Sequence, residues 1–172
     1  MTASKKITYV ALTTAILCVL APISIPIGVI PISLSTLVIF TMSACLDFKI
    51  VTTSTIVYVC LGLVGLPVFS MFQGGFSVLV GSSGGYIIGY IFASFIIGFI
   101  TEKTNKTYMY ILSMLIGLIC CYLFGTLWYS YLTSIKFVIA LKVTVLPFLI
   151  IDFIKIALSV FLAKTIRKRI AC

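Results

Sequence analysis

Two ionisable residues stand where an apolar chain can least bear them. Asp152 and Lys155 follow Pro147-Phe148 inside a run of otherwise hydrophobic residues. Three positions apart on a helix, they share a face. Pro147 suits the first helical position, where its missing N–H costs nothing. At about 1.5 Å per residue the pair then lies roughly 7 and 12 Å along that helix. Each charge costs about 2.5 to 3.5 kcal/mol at the centre of a bilayer on insertion scales. One use for such a pair is a structural ion pair that fixes helix packing, although apolar replacements are often as stable. The other is a ligand site facing an outward cavity, where Asp152 accepts N–H groups and Lys155 donates to a carbonyl or carboxylate.

A second candidate is Gly81-Ser82-Ser83-Gly84-Gly85-Tyr86, with Gly89 four residues beyond Gly85. Glycines let backbone approach a ligand closely, serines add hydroxyls, and the start of the following helix aims free N–H groups at the same spot. The run reads equally as a helix start with Gly85 and Gly89 as a packing face. No Lys-Ser or Lys-Thr follows it, so it is not a P-loop. Tyr86 and Tyr90 are candidates for pocket lining, whereas Trp128, Tyr129 and Tyr131 read as an interfacial aromatic belt. Ala11 and Ala15 are small residues four apart, a spacing that lets two helices touch.

Other chemistry is poorly provided for. There is no histidine, and the acids are Asp47, Glu102 and Asp152. Enzymes embedded in bilayers need paired acids, His clusters or a metal. Cys18, Cys45, Cys60, Cys120, Cys121 and Cys172 show no zinc-site spacing, and most sit in apolar stretches where Cys acts as a small hydrophobe. Neither a metal nor a cofactor is expected, and the chain does not read as an enzyme. The net charge of +9 comes from cations between apolar runs, with no basic patch interleaved with aromatics. Nucleic acid is therefore not an expected partner.

The elements that must hold these residues are membrane helices. Hydrophobic residues make up 62% of the 172 and charged ones 9%, against about 25% charged in a soluble domain. Six candidate spans run near Ile7–Ala21, Ile32–Leu46, Ile50–Leu66, Gly84–Thr101, Tyr108–Leu132 and Phe148–Ile166. The first two are short for a spanning helix of about 20 residues. Lys5 and Lys6 before the first span imitate a signal peptide, but no Ala-x-Ala cleavage site follows, so it reads as a retained helix. The expectation is a single all-α integral membrane domain over 1–172, with six transmembrane helices in a lipid bilayer.

Six spans place both termini on one side. That side holds Lys5, Lys6, Lys49, Lys103, Lys106, Lys164, Arg167, Lys168 and Arg169, against Lys136 and Lys142 on the other. By the positive-inside rule both termini are cytoplasmic and the protein is a multi-pass resident of the plasma membrane. Three segments then face outward. Pro22, Pro26 and Gly28 to Pro31 make a rigid loop unsuited to helix. Pro67 to Ser83 carries Gln73 and the glycine-serine run. Thr133 to Val145 reads as an interfacial helix or re-entrant piece.

With those segments placed, the chain resembles the biotin-specific substrate-binding component, or S component, of energy-coupling-factor transporters. The residues that carry the resemblance are Pro31-Ile32-Ser33-Leu34-Ser35-Thr36, Gly65-Leu66-Pro67-Val68-Phe69, Gly81 to Gly89, and Pro147-Phe148 with Asp152 and Lys155. It departs from the family at Ser35, often Gln there, and at Ser82-Ser83, often Pro-Thr. The resemblance implies biotin bound near the outer face by Asp152 and Lys155. It also implies work with a transmembrane coupling subunit and two cytoplasmic ATPases, with Ala11 and Ala15 as docking surface. The rival readings are an S component for thiamine or riboflavin, and a small channel or exporter.

Overall fold

The computed structural model describes residues 2–26, 28, 30–104 and 106–170, leaving aside the side chains of 169 and 170. Cys172 lies outside the described residues. A chain this apolar must satisfy its backbone from within, and helices do so segment by segment. The long elements are α1 (Ala3–Leu20), α2 (Ser35–Cys45), α3 (Phe48–Leu63), α5 (Gly84–Glu102), α6 (Thr107–Thr133) and α8 (Leu146–Ile170). Between them come the strands β1 (Ser24–Ile25) and β2 (Ile32–Ser33), a 3₁₀ turn at Ser70–Phe72, and the short helices α4 (Phe76–Val80) and α7 (Phe137–Thr144).

Four of these helices, α1, α5, α6 and α8, are long and apolar enough to cross a bilayer. At 11 and 16 residues, α2 and α3 fall below the usual range of about 17 to 25. The hydropathy reading of Ile32–Leu46 as one span is corrected at its start. Ile32 and Ser33 form β2, paired antiparallel with β1 through Ser24–Ser33 and Ile25–Ile32, and α2 begins only at Ser35. The proline-rich loop thus folds back as a hairpin, which its fixed φ angles permit and a helix does not. The Ile50–Leu66 span ends early for a related reason. Gly65 adopts φ +108° directly after the Val64 cap, a left-handed conformation in which glycine commonly stops a helix. At its other end α3 gains a turn, because the Asp47 carboxylate caps it by accepting from the Lys49 N–H at 3.0 Å.

The helices alternate in direction. At one end the loops meet: the Met71 N–H donates to Ser24 Oγ at 2.8 Å and to the Pro22 carbonyl at 3.2 Å. At the other end Tyr9 of α1, Leu46 after α2 and Ile166 of α8 line one groove. There Arg167 donates to the Tyr110 hydroxyl at 2.6 Å and to the Thr101 carbonyl at 3.3 Å. So α1 begins, and α8 finishes, at the same end of the molecule.

The closest packing joins α5 to α6. A Cβ at Gly85 would strike Trp128 and the Phe124 carbonyl, and one at Gly125 would strike the Tyr86 ring. Glycine at both places lets the two backbones approach. The Thr133–Val145 segment is the short helix α7, which buries Ala140 and Thr144 and leaves Val138, Ile139 and Leu141 exposed.

Candidate functional site

The second and third turns of α8 carry Asp152 and Lys155 toward α6 and the β2–α2 junction. Both are buried, Asp152 at 3% exposure and Lys155 at 7%. The Lys155 ammonium lies 3.0 Å from Asp152 Oδ1. It also donates to the Ser33 carbonyl at 2.8 Å and to Thr36 Oγ1 at 2.9 Å. An ammonium has three N–H donors; Ser33 and Thr36 take two of them, and the ammonium stands against Oδ1 as an ion pair. The other carboxylate oxygen, Oδ2, accepts from the Tyr122 hydroxyl at 2.6 Å. Oδ1 is different. It has the Lys155 charge beside it, yet no protein donor is aligned on it for a hydrogen bond.

Asp152 and Lys155 border a hollow of about 390 Å³, counted out to its mouth, lined also by Pro31, Ile32, Ser33, Tyr86, Tyr90, Leu118, Cys121, Tyr122 and Phe148. A second hollow of about 350 Å³ adjoins it across Ile30, Pro31, Tyr86 and Tyr90, and reaches Tyr58, Ser70, Gln73 and Ser83. Mostly apolar walls with a few directed polar groups are the usual make-up of a small-molecule site. The arrangement suits a compact, largely apolar guest with an N–H group to give. A buried carboxylate oxygen without a donor costs free energy until such a group arrives.

The two halves of the sequence-based site separate in space. Asp152, Lys155 and Tyr86 come together, and Tyr90 joins them. Gly81, Ser82 and Ser83 instead line a wider recess with Gln73, Gly74 and Ser77, and of the three Ser83 also borders the second hollow. Gly84 and Gly85 line none of these hollows, and a Cβ at Gly84 would meet the Leu79 carbonyl and one at Gly85 would meet Trp128. The Gly81 carbonyl is likewise taken, accepting from the Trp128 indole at 2.9 Å. Tyr86 is positioned by the space over Gly125 and by its hydroxyl, which donates to the Thr144 carbonyl at 3.4 Å. Ala11 and Ala15 lie on an exposed face of α1 together with Leu12 and Val19.

Sequence reasoning did not assign Tyr122, Ser33 or Thr36 to the site. Ser33 and Thr36 lie 122 and 119 positions from Lys155, beyond anything helical spacing predicts. For Tyr122 a signal did exist: Gly117, Cys121 and Gly125 form a small-residue stripe at four-residue spacing, which marks the face of α6 turned inward.

Comparison with known proteins shows the family and the fold. A family model described as the BioY family matches residues 1–171. A biotin transporter BioY from Thermotoga maritima is 37% identical over 156 residues, covering 90% of this chain and 91% of that protein. A probable biotin transporter BioY from Pyrococcus horikoshii is 34% identical over 164 residues, covering 95% and 97%. Among solved structures, an S component for biotin from an ECF-type ABC transporter superposes with a TM-score of 0.89 at 32% identity, covering 98% of this chain and 95% of that one.

Proposed function

The chain belongs to the BioY family, and from that premise we infer that it is a biotin transporter, the S component of an energy-coupling-factor system, with its vitamin held beside Asp152. It is a multi-pass membrane protein of the transport class and not an enzyme. The observation that carries the site assignment is the buried Asp152, a wall of the hollow, whose Oδ1 is ion-paired with Lys155 but accepts no aligned hydrogen bond.

Biotin matches that vacancy group by group. Its ureido ring offers N–H donors, its sulfur ring is apolar, and its tail ends in a carboxylate. We assign a ureido N–H to Asp152 Oδ1, with the rings against Tyr86, Tyr90 and Phe148. Lys155 acts by holding Asp152 and the 33–36 segment, since its own donors are engaged. Gly81, Ser82 and Ser83 stand at the rim, where they would meet a guest as it enters. Gly84 and Gly85 contribute by seating α5 on α6.

Six crossings with both termini in the cytoplasm fit the alternating helix directions, provided α2 and α3 reach the interfaces with help from the segments that flank them. The loop end is then the outer one. The opposite end carries most of the lysines and arginines, as the positive-inside rule requires. The exposed Ala11–Ala15 face of α1 serves as the surface on which the transmembrane coupling subunit docks, and the two cytoplasmic ATPases act through that subunit.

Titration of the detergent-purified protein with biotin tests the assignment. Asp152→Asn is expected to weaken binding by about 1.5 to 3 kcal/mol, the scale of a hydrogen bond to a charged group. Undiminished biotin binding by a folded Asp152→Asn protein removes Asp152 from the site. Thiamine and riboflavin, run in parallel, are expected to leave the melting temperature where it is, because only a true ligand stabilises the folded state.

A further inference from the structure

We infer that Tyr122 is a positioning residue for vitamin recognition: by tying down Oδ2 of Asp152 it leaves Oδ1, ion-paired with Lys155 but without an aligned hydrogen bond, as the carboxylate oxygen that meets the ligand. This rests on the reading of Asp152 as the acceptor of a ligand N–H. A carboxylate has two equivalent oxygens and a soft terminal torsion, so left alone it offers either oxygen to either neighbour. Three elements remove that freedom. From α6, the Tyr122 hydroxyl donates to Oδ2 at 2.6 Å, the short range expected when the acceptor is charged. From the same helix as Asp152, Lys155 stands against Oδ1 at 3.0 Å. From the β2–α2 junction, Ser33 and Thr36 take up two of the Lys155 donors, so the ammonium cannot swing round to bridge both oxygens. What is left open is the Oδ1 side, which has no aligned donor. Tyr122 and Asp152 both line the hollow, so this orientation is set at the wall the guest must touch.

A double-mutant cycle on the full-length purified protein tests this, with biotin titrated into wild type, Tyr122→Phe, Asp152→Ala and the double variant. The phenylalanine keeps the ring and removes one oxygen. Tyr122→Phe is expected to weaken biotin binding about tenfold and to lower the ligand-free melting temperature, since Oδ2 loses its donor. In the Asp152→Ala background the same change is expected to have no further effect, because a residue acting through Asp152 has nothing left to act on. Should Asp152→Ala not fold, Asp152→Asn takes its place, with most of the effect of Tyr122→Phe expected to vanish. Wild-type affinity in Tyr122→Phe overturns the inference, as does an undiminished loss in the Asp152-deficient background, which would make Tyr122 a ligand contact or a packing residue. If Asp152→Ala and Asp152→Asn both bind biotin normally, the site assignment fails first and takes the inference with it.

Discussion

Asp152 and Lys155 are held together on α8 by one helical turn, and each is bound to a different neighbour across the bundle. The pair itself was legible in the sequence, since two charges three apart in an apolar run are conspicuous. Its neighbours were not, because Ser33 and Thr36 reach Lys155 only after the chain has folded back over 119 and 122 positions. That difference changes the role assigned to Lys155. Its type suggests a donor to the ligand, whereas its bonds to Ser33 and Thr36 and its ion pair with Asp152 suit it to act as a fastener. Removing one member of a buried pair costs about 3 to 5 kcal/mol because the other charge is stranded. Lys155→Met is therefore expected to lower the melting temperature strongly. Adding Asp152→Asn to it is expected to recover most of that stability without restoring biotin binding. Thermal denaturation and a biotin titration on the same samples separate the two effects.

Among the elements, hydropathy located all six long helices, and it misplaced those boundaries that depend on something other than hydrophobicity. The start of α2 is set by strand pairing at Ile32 and Ser33, and the end of α3 by the left-handed Gly65. An apolar window is blind to both. The glycine-serine run posed a similar ambiguity. Gly85 reads equally as a ligand contact or as a packing residue, and its close approach to Trp128, 43 residues on, supports packing. The α5–α6 seam also reaches the site, because Gly125 makes the room that Tyr86 occupies. Gly125→Val should push the Tyr86 ring aside. Overpacking of that kind costs about 1 to 3 kcal/mol. Both the melting temperature and the affinity for biotin are expected to fall, whereas a loss of stability alone would show that Tyr86 does not matter to the pocket.

For the whole molecule, the composition announced a membrane protein, and the distribution of cations gave it a direction. The alternating helices bring the three loop segments to one end and both limbs of the α1–α8 groove to the other. Vitamin capture and partner docking are thus assigned to opposite ends of one bundle, and they should be separable. Ala15→Trp is expected to leave biotin titration unchanged and to abolish ATP-driven uptake in vesicles that also contain the coupling subunit and ATPases. If uptake survives, the α1 face is not where the coupling subunit docks. The Lys155 fastener ties the two ends together in a further way. It joins α8 to the junction at the head of α2, and α2 runs from that junction to the opposite end of the bundle. Since affinity and geometry are reciprocally linked, a force that drags α2 away from α8 must loosen the grip on the cargo, and a seated cargo must resist that drag to the same extent.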